Sequence, residues 1–387
     1  MLRILFTCAV FVAVAFVLSF DAFAANLGIS AASAVLIEAQ TGQVVYEHNA
    51  HKQRSMASTT KIMTSLLALE AHTPSLQITV TEEMAAVEGT SMGLLAGDTV
   101  TLRDLVYGML LASGNDAANT VAYVLGDGPE GFAELMNERA AAIGMSNTNF
   151  VTASGLDSEG HYSTAYDMAL LACEAMKNPE FRSVCNTSNK KLSYGNPPYL
   201  RTLTNHNRLL RIYEYAVGIK TGYTKKSGRC LVSAAEKDGV LLIAVTLNAP
   251  DDWNDHVKMY DYGFSRLSSV ELDSTLDGIS LAVVGGKAAA VALGFSDIPR
   301  AVLPESNATV QRDVYLKSFE YAPVCKGDVV GEAVYRVGDK VICRAAIVAD
   351  ESVLSCAPTE VQGEESELEK ENFFTKFINK IKTFFLK

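Results

Sequence analysis

The chain has no C-x-x-C pair and no H-E-x-x-H motif, so its sequence gives no support to a metal site, whose ligands come in such short-range pairs. It has no basic excess either. The 33 Lys and Arg are outnumbered by 44 Asp and Glu, a formal net charge of −11. A chain that neutralises phosphates carries the opposite balance, so nucleic acid is not expected as a partner. No internal repeat stands out, which argues against solenoids and propellers. Nothing in the sequence calls for a cofactor. Cysteine is sparse: of the seven, Cys8 lies in an N-terminal apolar stretch, leaving Cys173, Cys185, Cys230, Cys325, Cys343 and Cys356. An even count permits disulfides outside the cell without requiring them. Cys230, inside an apolar run, reads as a small buried residue and not as a reactive thiol.

The ends of the chain indicate export. Met1-Leu-Arg3 is a basic start, residues 4–20 are apolar, and Ala22-Phe-Ala24 is a small-residue cleavage pattern. Residues 1–24 therefore read as a secretory signal. The chain beyond the signal is too long for one ordinary domain. Helical patterns fill its first part, with strands at either end, and beyond about residue 268 short β-branched runs separated by Gly, Pro and Asp take over. The expected division is a mixed domain at 25–268, a small β-rich domain at 269–358, an acidic linker at 359–371 and a helix at 372–387. On that helix Phe373, Phe374, Phe377, Ile378, Ile381, Phe384 and Phe385 share an arc of roughly 140°, with Lys376, Lys380, Lys382 and Lys387 outside it. It is too short to span a bilayer and suited to lying on an anionic membrane surface.

Three short signatures occur in one order: Ser58-Thr-Thr-Lys61, Ser113-Gly-Asn115 and Lys220-Thr221-Gly222. Together they are the parts of a serine acyl-transfer site. Each alone is weak, and Ser188-Asn-Lys-Lys191 also fits S-x-x-K. Context separates the two copies. Behind Ser58, the residues Ile62, Met63, Leu66, Leu67 and Leu69 recur at helical spacing, so Lys61 lies one turn on and shares a face with Ser58. Its amine then reaches the hydroxyl beside the free amides of the first turn. Ser188 sits in a polar run, 186–191, with no such stripe.

The second signature falls in a break between helical stretches. Ser113 can relay a proton to the leaving group, and Asn115 can steady Lys61 and bind substrate backbone. The third ends an extended segment, 216–219, and precedes two apolar runs split by Lys237-Asp238-Gly239, a strong hairpin signal. On a strand beside that hairpin Gly222 admits a ligand to the backbone. Lys220 and Thr221 offer a cation and a hydroxyl to a carboxylate, while the amides of Ser58 and Tyr223 can form an oxyanion hole.

These motifs resemble those of the low-molecular-weight penicillin-binding proteins that are D-alanyl-D-alanine carboxypeptidases. The hairpin from Ala34 to Glu47, Gly155-Leu-Asp157, His161-Tyr-Ser-Thr-Ala165, Thr204-Asn-His-Asn207 and the segment from Pro323 to Gly331 extend the resemblance over nearly everything after the signal. It implies an α/β (α+β) fold with a β-lactamase/transpeptidase-like antiparallel sheet flanked by helices, a small all-β domain and the amphipathic C-terminal helix. It also implies peptidoglycan stem peptides ending in D-Ala-D-Ala as substrates, β-lactams as inhibitors, and Ser58, Lys61 and Ser113 as the catalytic set. His161 and His206 read mainly as structural, because the family's chemistry runs on serine and lysine. Tyr223 stands where some members carry histidine, which touches side-chain selectivity and not a backbone role. Alternatives are a class A-like β-lactamase using Glu174 for deacylation, an endopeptidase or transpeptidase acting on the same bond type, and a non-catalytic penicillin-binding sensor.

Overall fold

A computed structural model of the chain describes residues 26–71, 73–304 and 309–356. The signal at 1–24, the linker at 359–371 and the helix expected at 372–387 lie outside the described residues.

The opening hairpin forms from β1 (Ser33–Glu38) and β2 (Val44–His48). β1 is buried along its whole length. Val35 and Ile37 enter one apolar cluster and Ala34 and Leu36 another, the period-two alternation of a strand covered on both faces. A 3-10 turn, Ala57–Thr60, then leads into α1 (Lys61–Glu70). After it come β3 (Gln77–Thr79), α2 (Glu82–Ala85), β4 (Thr99–Thr101), α3 (Leu102–Leu111), α4 (Asn115–Gly126), α5 (Pro129–Ile143), α6 (Ala165–Lys177) and α7 (Pro179–Cys185). A hairpin of β5 (Asn189–Gly195) and β6 (Pro198–Thr204), then α8 (Leu209–Ile212), precede β7 (Ala216–Thr224), β8 (Gly228–Lys237), β9 (Val240–Leu247) and α9 (Asp252–Phe264).

The central sheet has the order β2-β1-β9-β8-β7, antiparallel at every pairing. Its β8–β9 turn places Asp238 and Gly239 at φ 50° and 79°, the left-handed pair that an Asp-Gly hairpin adopts. β1 closes against β9, so strands from the two ends of this region share one sheet, as the patterning predicts. One face carries α1, α3 and α6 through Ile62, Leu66, Leu105, Met109 and Ala172, with α4 packed on α1 and α3 through Val121. The other carries α9 through Met259 and Tyr260, packed on Leu36, Leu231 and Leu242. Each of the Leu, Ile, Met and Val side chains among them, fully buried, stabilises the fold by roughly 1.5–3 kcal/mol. Burial on both faces explains why β9 reads as a continuous apolar run and not as an alternating one.

The chain divides into two compact units. The first holds residues through Ser274 with Asp297–Val314 and Ala333–Ala345; the second holds Thr275–Ser296, Tyr315–Glu332 and residues from Ala346 on. Beyond α9 all regular structure among the described residues is strand: β10 (Leu267–Glu271), β11 (Ser280–Val284), β12 (Ala290–Phe295), β13 (Arg300–Pro304), β14 (Gln311–Leu316), β15 (Glu320–Tyr321), β16 (Val329–Val337) and β17 (Lys340–Ala349). In the first unit β10 pairs with β13. In the second, β12 pairs with β11 and with the end of β17, and β15 runs parallel to β11. Among the described residues no helix is long and apolar enough to cross a membrane.

Candidate active site

Ser58 stands in the 3-10 turn and not in the α-helix proper, which begins at Lys61. The tighter turn serves the pair, because residues three apart eclipse each other in a 3-10 geometry. Ala57 is left-handed, φ 48°, a strained state for a residue with a side chain. The turn is held there by Thr60 Oγ1, which donates to Ala57 O at 2.8 Å, and by Thr59 Oγ1, which donates to Met56 O at 2.6 Å. Gly155 backs it closely: a Cβ on Gly155 would sit 2.0 Å from Ala57 O, so only glycine fits. The Gly155-Leu-Asp157 stretch thus supports the turn that carries Ser58.

Lys61 is fully buried. Its Nζ lies 3.0 Å from Ser58 Oγ, 2.7 Å from Asn115 Oδ1 and 2.6 Å from Ser154 O. The last two can only accept, so a neutral amine spends its two N–H bonds on them and turns its lone pair to the Ser58 hydroxyl. The environment favours that form. Burial first, and then the charge of Lys220, hold Lys61 well below the ordinary lysine range, with Asp116 opposing.

Ser113 and Asn115 occupy the break between α3 and α4, as expected, with Asn115 as the first residue of α4. Ser113 is left-handed, φ 58°. Gly114 N donates to Gly108 O at 3.0 Å and Thr90 Oγ1 donates to Ser113 O at 2.6 Å, fixing the turn. Asn115 Nδ2 donates to Glu88 O at 2.6 Å, which turns its oxygen to Lys61.

The third motif lies inside β7, beside the β8–β9 hairpin as the sequence predicts, and the strand runs on to Thr224. Opposite it on β8 the register is Thr221 to Leu231, Gly222 to Cys230 and Tyr223 to Arg229. Gly222 lets the strand approach the Ser58 turn: a Cβ there would lie 3.0 Å from both Met56 O and Ser58 N. Lys220 is 1% exposed and donates to Thr221 O at 2.8 Å. Burial pushes its amine down to about 7. Cys230 is buried and unpaired, its thiol pushed up to about 11, so it is inert as the sequence suggested.

Ser58, Ser113, Thr221, Gly222 and Tyr223 line one cavity of about 320 Å³, together with Thr90, His206, Arg229, Asp252 and Trp253. Lys61, Asn115 and Lys220 stand behind its wall. His206, read from sequence as mainly structural, is a wall residue. Arg229 was missed: its guanidinium pairs with Asp252 at 2.6 Å and lies over the Trp253 ring, 5.4 Å from its centroid. Thr90, Arg229, Asp252 and Trp253 belong to no short motif; only the hairpin register facing Arg229 with Tyr223 pointed there. His161 is the buried structural histidine expected. It joins Thr60 Oγ1 at 3.0 Å and accepts from Val151 N at 2.9 Å, and burial pushes it down to about 4. Ser188 lies outside the cavity, just ahead of β5. Glu174, on α6, is bound by Arg139 at 2.7 Å and Lys177 at 2.9 Å, so its carboxylate is committed away from the cavity.

Residues 21–251 match the peptidase S11 family, described as D-alanyl-D-alanine carboxypeptidase. The chain is 34% identical over 340 residues to the D-alanyl-D-alanine carboxypeptidase DacF of Bacillus subtilis, covering 85% of this chain and 87% of the relative. It is 32% identical over 358 residues to DacC of Escherichia coli, also a D-alanyl-D-alanine carboxypeptidase, covering 86% and 88%. Among solved structures, penicillin-binding protein 5 of Haemophilus influenzae aligns with a TM-score of 0.62 at 26% identity, covering 84% of this chain and 98% of the other. The DD-transpeptidase of Streptomyces K15 aligns with a TM-score of 0.58 at 32% identity, covering 61% and 98%. The chain therefore belongs to the peptidase S11 family, the serine-type D-alanyl-D-alanine carboxypeptidases.

Proposed function

We propose that the protein trims the terminal D-alanine from peptidoglycan stem peptides ending in D-Ala-D-Ala, with Ser58 as nucleophile and Lys61 as its base. Ser58 Oγ attacks the penultimate carbonyl while its proton passes to the Lys61 amine. The amides of Ser58 and Tyr223 receive the oxyanion. The C–N bond then breaks, and Lys61 returns the proton through Ser113 to the departing D-alanine. Water attacks the ester next, its proton again going to Lys61, and the acyl C–O bond breaks as Lys61 returns that proton to Ser58 Oγ, restoring the free enzyme. Asn115 orients Lys61 and the substrate backbone. Thr221, with the Lys220 amine behind it, receives the terminal carboxylate, Gly222 admits it to the strand, and Arg229, paired with Asp252 on the same wall, offers further N–H donors. A β-lactam acylates Ser58 by the same attack.

The observation that carries this reading is the Lys61 amine 3.0 Å from Ser58 Oγ with its other two partners limited to accepting oxygens. The class A-like alternative is disfavoured by the commitment of Glu174 to Arg139 and Lys177. We take residues 25–268 as the catalytic portion, supported by the position of every motif residue within it, and 269–358 as the β-rich portion. The sequence of 372–387 supports a peripheral membrane tether, and the signal at 1–24 supports export to the periplasm or the outer face of the cytoplasmic membrane. The test is D-alanine release from diacetyl-Lys-D-Ala-D-Ala. Stoichiometric release with multiple turnovers supports the reading, while penicillin binding without D-alanine release would make the protein a sensor.

A further inference from the structure

Directly after the Ser113–Asn115 turn, Asp116 is 1% exposed, and its carboxylate gathers four donors from one loop segment. Ser91 Oγ donates at 2.6 Å, and the backbone amides of Met92, Gly93 and Leu94 donate at 2.9, 3.0 and 2.9 Å. All four donors are neutral. A buried carboxylate held only by neutral donors is stable when each oxygen is fully bonded, and removing it strands the segment's amides.

The same loop is tied to the neighbouring motif. Thr90 Oγ1 donates to Ser113 O at 2.6 Å, Asn115 N donates to Thr90 O at 2.7 Å, and Asn115 Nδ2 donates to Glu88 O at 2.6 Å. These contacts leave Asn115 one direction for its oxygen, which meets Lys61 at 2.7 Å. Asp116, the loop, Asn115 and Lys61 form one continuous chain of hydrogen bonds.

We propose that Asp116 is a positioning residue for acyl transfer: its carboxylate draws segment 91–94 against the Ser113–Asn115 turn, so that Asn115 is held facing Lys61, and it keeps a fixed negative charge on that side of the base. This rests on Lys61 acting as the base. Lys61 faces Lys220 from β7 and Asp116 from α4, while Ser58, Asn115 and Ser154 present it only neutral oxygens. Burial holds His206 on the cavity wall and His161 behind the turn below the usual histidine range. Asp116 is thus the carboxylate that favours a protonated Lys61, and without its charge Lys61 releases the proton at lower pH.

The test is the rate of Ser58 acylation by a fluorescent penicillin across pH, on the full chain. Wild type is expected to speed up along an acid limb as Lys61 deprotonates. In Asp116→Asn that limb moves to lower pH by on the order of one unit, and the plateau falls roughly tenfold as the loop loosens. Asp98→Asn is the control. Asp98 secures the far end of the same loop, accepting from Leu95 N at 3.0 Å and Asn196 N at 3.1 Å, so its loss lowers the plateau without moving the limb. Ser91→Ala keeps the charge and likewise lowers only the plateau, a result that stands by itself should Asp116→Asn not fold. An unmoved limb in Asp116→Asn, an equal movement in Asp98→Asn, or an unchanged plateau in Ser91→Ala overturns the proposal. A wild type with no acid limb overturns instead the reading of Lys61 on which it rests.

Discussion

Lys61 and Lys220 are both buried lysines, and the proposed mechanism gives them different tasks. Lys61 is hydrogen-bonded on three sides and depressed by burial and by Lys220; Lys220 is pushed down by burial alone. A guanidinium cannot act as a base at neutral pH. Lys61→Arg is therefore expected to lose penicillin acylation by orders of magnitude, whereas Lys220→Arg keeps a cation and retains measurable turnover with a raised KM. Equal losses in both would contradict the division. Lys220 also costs stability. Its folded-state value lies below its unfolded one, so the unfolded chain holds the extra proton between about 7 and the ordinary lysine range, and stability rises with pH across that window. Lys220→Met should melt a few degrees higher than wild type at neutral pH while losing substrate affinity, with the gap closing in alkaline solution. The three motifs that the structure brings together were legible in the sequence, because each is short and local. The sequence did not disclose Arg229, Trp253 or the exposure of His206, which reach the cavity only through strand register.

At the scale of elements, the patterns of period two and of helical spacing located the sheet and its helices, since each element buries a face that its own sequence marks. One feature escaped. Ser58 lies in a 3-10 turn ahead of α1, where tertiary contact, not local preference, sets where the element begins. Gly222 and Gly155 are the joints of that contact. Gly222→Ala forces β7 away from the Ser58 amide by a few tenths of an ångström, so acylation is expected to slow by roughly ten- to a hundredfold with little change in melting temperature. Gly155→Ala meets Ala57 O far inside contact distance in a left-handed backbone, so it should lower stability by about 2 kcal/mol or more as well as activity. A Gly222→Ala enzyme with wild-type acylation would show that the close approach of β7 is not needed.

For the molecule as a whole, a chain of net charge −11 is repelled by an anionic bilayer unless a local basic element overcomes it, and in the proposed tether the lysines of 372–387 are that element. Deleting 372–387 should leave turnover of a soluble tripeptide nearly unchanged and release the protein from anionic vesicles. Phe377→Asp with Ile381→Asp should do the same, whereas Lys380→Gln only weakens binding and its salt sensitivity. A full-length protein that ignores such vesicles in co-sedimentation would remove the tether from the proposal. The chemistry itself is tested most directly by intact-protein and peptide mass spectrometry after incubation with penicillin. One adduct per chain is expected, on the peptide containing Ser58 and absent from Ser58→Ala. An adduct on Ser188, or one that persists in Ser58→Ala, would contradict the assignment of the nucleophile.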